Sequence, residues 1–192
     1  MLYISGKEAT RIQNMTHSLY HECLDLLVTI DEYNKCIDLE SNYIDDILDK
    51  GRLVSVLFSC MRYKIIVGIS SILDKNKKCL SIYKLLNVYE QSGIKKLNNE
   101  IKKAKDELQK YEELRENIKK LRDKVFAHVE IEYAIETEDI FDMDVDFFNE
   151  QVNNSIRLLK YIMKLCEILS VNYDDDTLNI KLLNSFNLNE VK

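Results

Sequence analysis

Residues 94–128 read IKKLNNEIKKAKDELQKYEELRENIKKLRDKVFAH. Neither proline nor glycine interrupts them. Ile94, Leu97, Ile101, Ala104, Leu108 and Tyr111, then Leu114, Ile118, Leu121 and Val125, recur at steps of three and four. That rhythm is a helical seam, with one slip between Tyr111 and Leu114. The spacing predicts one long helix from about Ile94 to Ala127, roughly 50 Å if unbroken, or kinked at the slip so that its lysine-rich half projects. Lys and Glu alternate on its other faces, which reads as a solvated, salt-bridged surface.

The rest of the chain has the same character. In 192 residues there is no proline and there are only four glycines, so long helices are favoured and an all-β fold is disfavoured. A hydrophobic share of 46% with 31% charged residues describes a globular chain with a sizeable core. Periodicity predicts a helix over 7–35, with Ile12, Met15, Leu19, Cys23, Leu26, Leu27 and Ile30 inward. A turn and a short helix stopped by Gly51 follow. Residues 52–74 read as the most buried helix, with Gly68 marking close packing against a neighbour. DKNKK (74–78) reads as a loop and 79–91 as an amphipathic helix. Ser92 is the expected N-cap of the long helix. The acidic residues 130–143 read as a loop, with an extended piece at VEIEYAI (129–135). Asp144 is the expected N-cap of a helix to about Val171. Its buried face would carry Phe148, Val152, Ile156, Leu159, Ile162, Met163, Cys166 and Leu169. A short helix over 176–186 closes the chain. No repeat or linker is evident, so one domain over 1–192 is expected.

Several function classes lose weight at once. Five cysteines, an odd number with no C-x-x-C spacing, point away from a disulfide framework or cysteine zinc site and toward a reducing cytoplasm. The N-terminus has no apolar run of the signal-peptide kind. The apolar stretch 53–73 carries Arg62 and Lys64 near its middle, which disfavours a membrane span. Acids from 130–150 are candidate partners for both side chains. His17 and His21 stand four apart on the first helix. Ser18 occupies the place of a zincin glutamate, so the pair is not read as a metal site. No phosphate-binding glycine loop and no nucleophilic serine motif occurs.

Charge is unevenly distributed. Residues 93–124 hold eleven Lys or Arg and seven Asp or Glu, whereas 130–150 hold nine acids and no base. LRDKVFAH (121–128) lies at the junction. His128 continues the apolar seam after Val125, while Arg122 falls on the side shared with Arg115 and Lys119. Six positions on a helix place two side chains about 120° apart, so Arg122 and His128 do not converge on one straight helix. Either the helix ends or distorts before His128, or a second copy completes a site. The plainer reading is a histidine that satisfies the end of a helix and an arginine on its solvated face.

LRDKVFAH resembles the HEPN signature, an arginine and a polar residue a few positions before a histidine. The wording is most similar to the AbiU-type abortive-infection branch, in which an R-[ND]-K-x-x-A-H run ends a long helix. MRYKIIVGISSILDKNKKCLSIYKLLN (61–87) resembles that branch's buried helix, its L-D exit and the next helix. The likeness extends over about 55–170; the first 50 residues have no counterpart in it. It implies an all-α helical bundle of the HEPN type that dimerises. The implied activity is a metal-independent endoribonuclease of phage defence or of a toxin–antitoxin pair, with RNA as substrate, an antitoxin protein as a candidate partner and no cofactor. Arg122 and His128 would be catalytic, with Asp123 orienting one of them; Arg115, Lys119 and Lys124 would hold RNA. Histidine suits proton transfer near neutral pH and arginine suits charge on phosphate oxygens. The alternative is a non-catalytic helical module that binds RNA or a partner. For Tyr111 and Tyr133, a core role is favoured over base stacking.

Overall fold

The computed structural model describes the backbone of residues 6–42, 51–76, 78–131 and 145–171, and side chains over 7–37, 56–76, 78–123 and 146–170. The described residues form helices and no strand. They are α1 (Gly6–Asn42), α2 (Gly51–Ile72), α3 (Ile82–Gln91), α4 (Asn98–Gln109), α5 (Glu112–Ile131) and α6 (Val145–Val171), with a 3-10 turn at Lys95–Leu97 before α4. α1 packs along α6 and α2, α5 packs on α2 and α6, and α3 bridges α1 and α4. The bundle is all-α, as the periodicity predicts.

The core is the set of inward stripes. Ile12, Leu19, Cys23, Leu26 and Ile30 of α1 meet Phe148, Val152, Leu159, Ile162, Cys166 and Leu169 of α6, all nearly inaccessible to solvent. Ile156 is only half-buried. Burial pushes the Cys23 thiol up to about 12 and the Cys166 thiol well above its ordinary value. Both therefore behave as small apolar side chains. All five cysteines are free. Among the described residues, no helix is long and apolar enough to cross a membrane.

Gly68 does mark a close approach. A Cβ built there would stand 2.5 Å from Leu26 Cδ2, so α2 can lie against α1 only because Gly68 has none. Farther up, the expectation for α2 fails. Its second half (Ile65, Ile66, Ile69, Ile72) is buried, but Val56, Leu57, Cys60 and Tyr63 are exposed. Only the second half of α2 is core. Lys64 pairs with Asp25 of α1 at 2.7 Å, while the side chains of 130–145, where most of the candidate acidic partners fall, lie outside the described residues. Arg62 Nε donates to the Tyr33 hydroxyl at 2.9 Å, and its guanidinium lies over the Tyr33 and Phe148 rings.

Four boundaries move. α1 continues to Asn42, through the start of the expected turn, and Gly51 is the first residue of α2. Ser92 closes α3: its N–H reaches the Val88 carbonyl, its hydroxyl donates to the Tyr89 carbonyl, and Gly93 follows at φ 72°. That left-handed residue ends the helix as glycine does after many helices. α3 begins at Ile82 and not at Cys79, because Ser81 caps it by accepting from the Lys84 N–H.

The long helix is two helices. The break falls at Lys110 and Tyr111, where the seam slips. Tyr111 N–H turns back to the Leu108 carbonyl and Arg115 N–H then restarts the ladder at Tyr111. Two successive steps of three would swing the apolar stripe off the core. The tight turn resets the phase, so that Leu108, Leu114 and Ile118 are all buried. Tyr111 packs half-buried against that core. α5 then runs past Ala127 to Ile131, so the start of the expected extended piece is helical. Its remainder, the 43–50 segment, Tyr133, Asp144 and the 176–186 helix lie outside the described residues.

Candidate functional site

α5 carries the basic residues, and the end of α2 faces them. Arg115, Lys119 and Arg122 stand at i, i+4 and i+7, one stripe of a helix. They line a cleft of about 180 Å³ whose opposite wall is Ser70, Leu73, Asp74 and Lys75. The α5 seam sets this orientation. With Leu114, Ile118 and Leu121 buried, the adjoining stripe must lie along the rim of the α2 contact.

Three of the four cations are held in place. Arg122 donates to Asp123 Oδ1 from Nε (2.9 Å) and Nη2 (2.6 Å), and to Ser70 Oγ from Nη1 (3.1 Å). Those bonds occupy three of the five guanidinium N–H groups. Two remain for a ligand in the cleft, and the side chain is 31% exposed. Arg115 donates from Nε to Glu112 (2.9 Å) and also reaches Glu116. Lys75 donates to both Glu112 oxygens at 2.9 and 3.0 Å, and its ammonium lies 5.4 Å from the Tyr83 ring centre. Hydrogen bonds from Arg115 and then Lys75 hold the Glu112 carboxyl below its usual range. Burial, then the Glu112 charge, raises the Tyr83 phenol. Lys119 is exposed and makes no ion pair among the described residues.

The asparagine and aspartate between α2 and α3 fix the wall. Asp74 accepts from Asn76 N–H (2.7 Å) and Asn76 Oδ1 from Lys78 N–H (3.0 Å), two successive side-chain-to-backbone turns. They hold Lys75 toward the cleft and Lys78 beyond it.

Of the residues singled out from sequence, Arg115, Lys119, Arg122 and Asp123 come together. Lys124 and His128 lie on α5, with side chains outside the described set. The helix is continuous through His128, so it neither ends nor breaks between the two motif residues. They are about 9 Å apart along the axis and 120° round it. Sequence reasoning missed Ser70, Asp74 and Lys75. One signal was present: Ser70, polar and 7% exposed in an apolar helix, needs a partner.

The histidines of α1 form no comparable centre. The His17 and His21 rings meet edge to face at 4.2 Å. Among the described residues, no group of three or more His, Cys, Asp or Glu is placed to hold a metal ion.

Compared with known families, the chain matches the HEPN family described as AbiU2 over residues 9–192. The chain belongs to the AbiU2 family of HEPN domains. This match takes in the first helix, which the motif-based likeness left without a counterpart, and the Arg122–His128 run lies inside it. No match was found among curated proteins or among solved structures.

Proposed function

We propose that this AbiU2-family chain is a metal-independent endoribonuclease of phage defence or of a toxin–antitoxin system, acting as a homodimer. The observation that carries the reading is the cleft at Arg122, where four cations converge on a space the size of a phosphate group and its surroundings. Asp123 and Ser70 fix the guanidinium plane, leaving N–H groups for the non-bridging oxygens. His128 takes the proton of a ribose 2′-hydroxyl. The 2′-oxygen attacks phosphorus, the 5′-oxygen leaves with a proton from an imidazolium, and a 2′,3′-cyclic phosphate remains. Arg122 stabilises the charge that builds on the phosphate oxygens. DNA lacks the nucleophile and is spared. Because α5 is continuous, Arg122 of one copy works with His128 of the other. Arg115, Lys119 and Lys124 hold the flanking phosphates.

One observation favours a second reading, a non-catalytic RNA- or partner-binding module. Arg122 and Arg115 already carry carboxylate partners, which a structural ion-pair network would also require. An assay in EDTA separates the two. Wild type cuts RNA to cyclic-phosphate ends and His128→Ala does not; equal RNA survival with both proteins sinks the nuclease.

A further inference from the structure

A second basic depression lies beside the first. It is a groove of about 570 Å³ between the first turns of α1 and the start of α3, and Lys7, Arg11, Lys78 and Lys84 line it. Among the described residues no acid lines it, in a chain whose net charge is −6. None of the four makes an ion pair among the described residues, unlike Lys75 and Arg115 in the cleft. Four cations from three segments, without an ion-pair partner among the described residues, create a positive potential along the groove.

We propose that this groove carries the phosphodiester backbone of RNA outward from the Arg122 cleft; the inference rests on the RNA reading of that cleft. Continuity is the first argument. Lys75 lines the cleft and Lys78 the groove, and three residues of chain span at most about 11 Å. A strand leaving Arg122 past Lys75 meets Lys78, then Lys84, Arg11 and Lys7. Chemistry is the second. Among the described residues the groove has no aromatic side chain on which a base could stack, while Asn14 and the cations offer donors. It therefore contacts phosphates and not bases, and is indifferent to sequence. An acidic protein segment is the competing occupant; the chain continuity with a phosphate-sized cleft favours RNA.

The test uses full-length His128→Ala, so that RNA stays intact, and the same protein with Lys7→Ala, Arg11→Ala and Lys78→Ala added. These three side chains are exposed, and unchanged helicity and melting confirm the fold. Binding is read by fluorescence anisotropy with oligoribonucleotides of about six and about twenty nucleotides across a salt series. For the longer RNA, Kd rises roughly tenfold or more and the log–log salt slope falls by about 2, at about 0.7 per lost phosphate contact. The shorter RNA, held in the cleft, binds both proteins alike. An unchanged Kd and slope for the longer RNA overturns the groove while leaving the nuclease reading intact. Polyglutamate competing as well as RNA overturns RNA as the occupant. If the parent binds neither RNA, the reading of the cleft falls and the groove with it.

Discussion

Gly68→Ala should destabilise this protein, although alanine is the better helix former. The added methyl would lie 2.5, 3.0 and 3.1 Å from Leu26 Cδ2, Cδ1 and Cγ. Unstrained carbon contacts lie at about 3.5–4.0 Å, so the whole branched end of Leu26 is in the way. Leu26 is fully buried and cannot swing into solvent. Either it leaves its rotamer or α2 backs away from α1 by roughly 1 Å, an overpacking cost of about 1–3 kcal/mol. Alanine's propensity returns about 1 kcal/mol. The net expectation is about 1 kcal/mol of lost stability, measured by urea unfolding followed by circular dichroism. The decisive control is Leu26→Ala. In that background the new methyl fills part of a cavity, and Gly68→Ala becomes stabilising by about 1 kcal/mol, a coupling of about 2 kcal/mol. Equal effects of Gly68→Ala in both backgrounds would refute the contact. The consequence reaches the cleft, because Ser70 sits two residues along the same helix.

Tyr89→Phe should cost about 1–2 kcal/mol in the same unfolding experiment, since the buried Tyr89 hydroxyl shares a 3.0 Å hydrogen bond with Thr16. Adding Thr16→Val should recover part of that loss, and a double variant weaker than the sum of the singles would contradict it. Glu112→Gln should flatten the acid limb of stability. The folded carboxyl lies below the ordinary value of 4.5, so its contribution is complete above about pH 4.5 and fades as pH falls through the folded pKa. The carboxylate is 40% exposed, so salt should shrink the difference; a salt-insensitive profile, or one equal to wild type, would contradict the pairing.

Most of the framework was legible because helical periodicity reports burial directly. The seam of α5 and the inward faces of α1 and α6 follow from spacing alone, and so does the shared face of Arg115, Lys119 and Arg122. The opposite wall was not legible. Ser70 meets Arg122 across an interval of 52 residues and Lys75 meets Glu112 across 37, and no local pattern specifies such pairings. The exposed first half of α2 failed for a related reason. An apolar helix shows its composition in the sequence, but how far its neighbours extend along it does not appear there. Ser92 was ambiguous between ending one helix and beginning another, and Gly93 at positive φ decides for the ending.

The account stands or falls on the division of Arg122 and His128 between two copies. The direct measurement extends the EDTA assay to a mixture of Arg122→Ala and His128→Ala proteins, unfolded together and refolded to exchange protomers. Each is inactive alone. In a random mixture half the dimers are mixed, and each mixed dimer keeps one of its two Arg–His pairings. RNA cleavage should therefore return to about a quarter of the wild-type rate, assuming the two sites act independently. A mixture as inactive as its components would contradict a site shared between protomers.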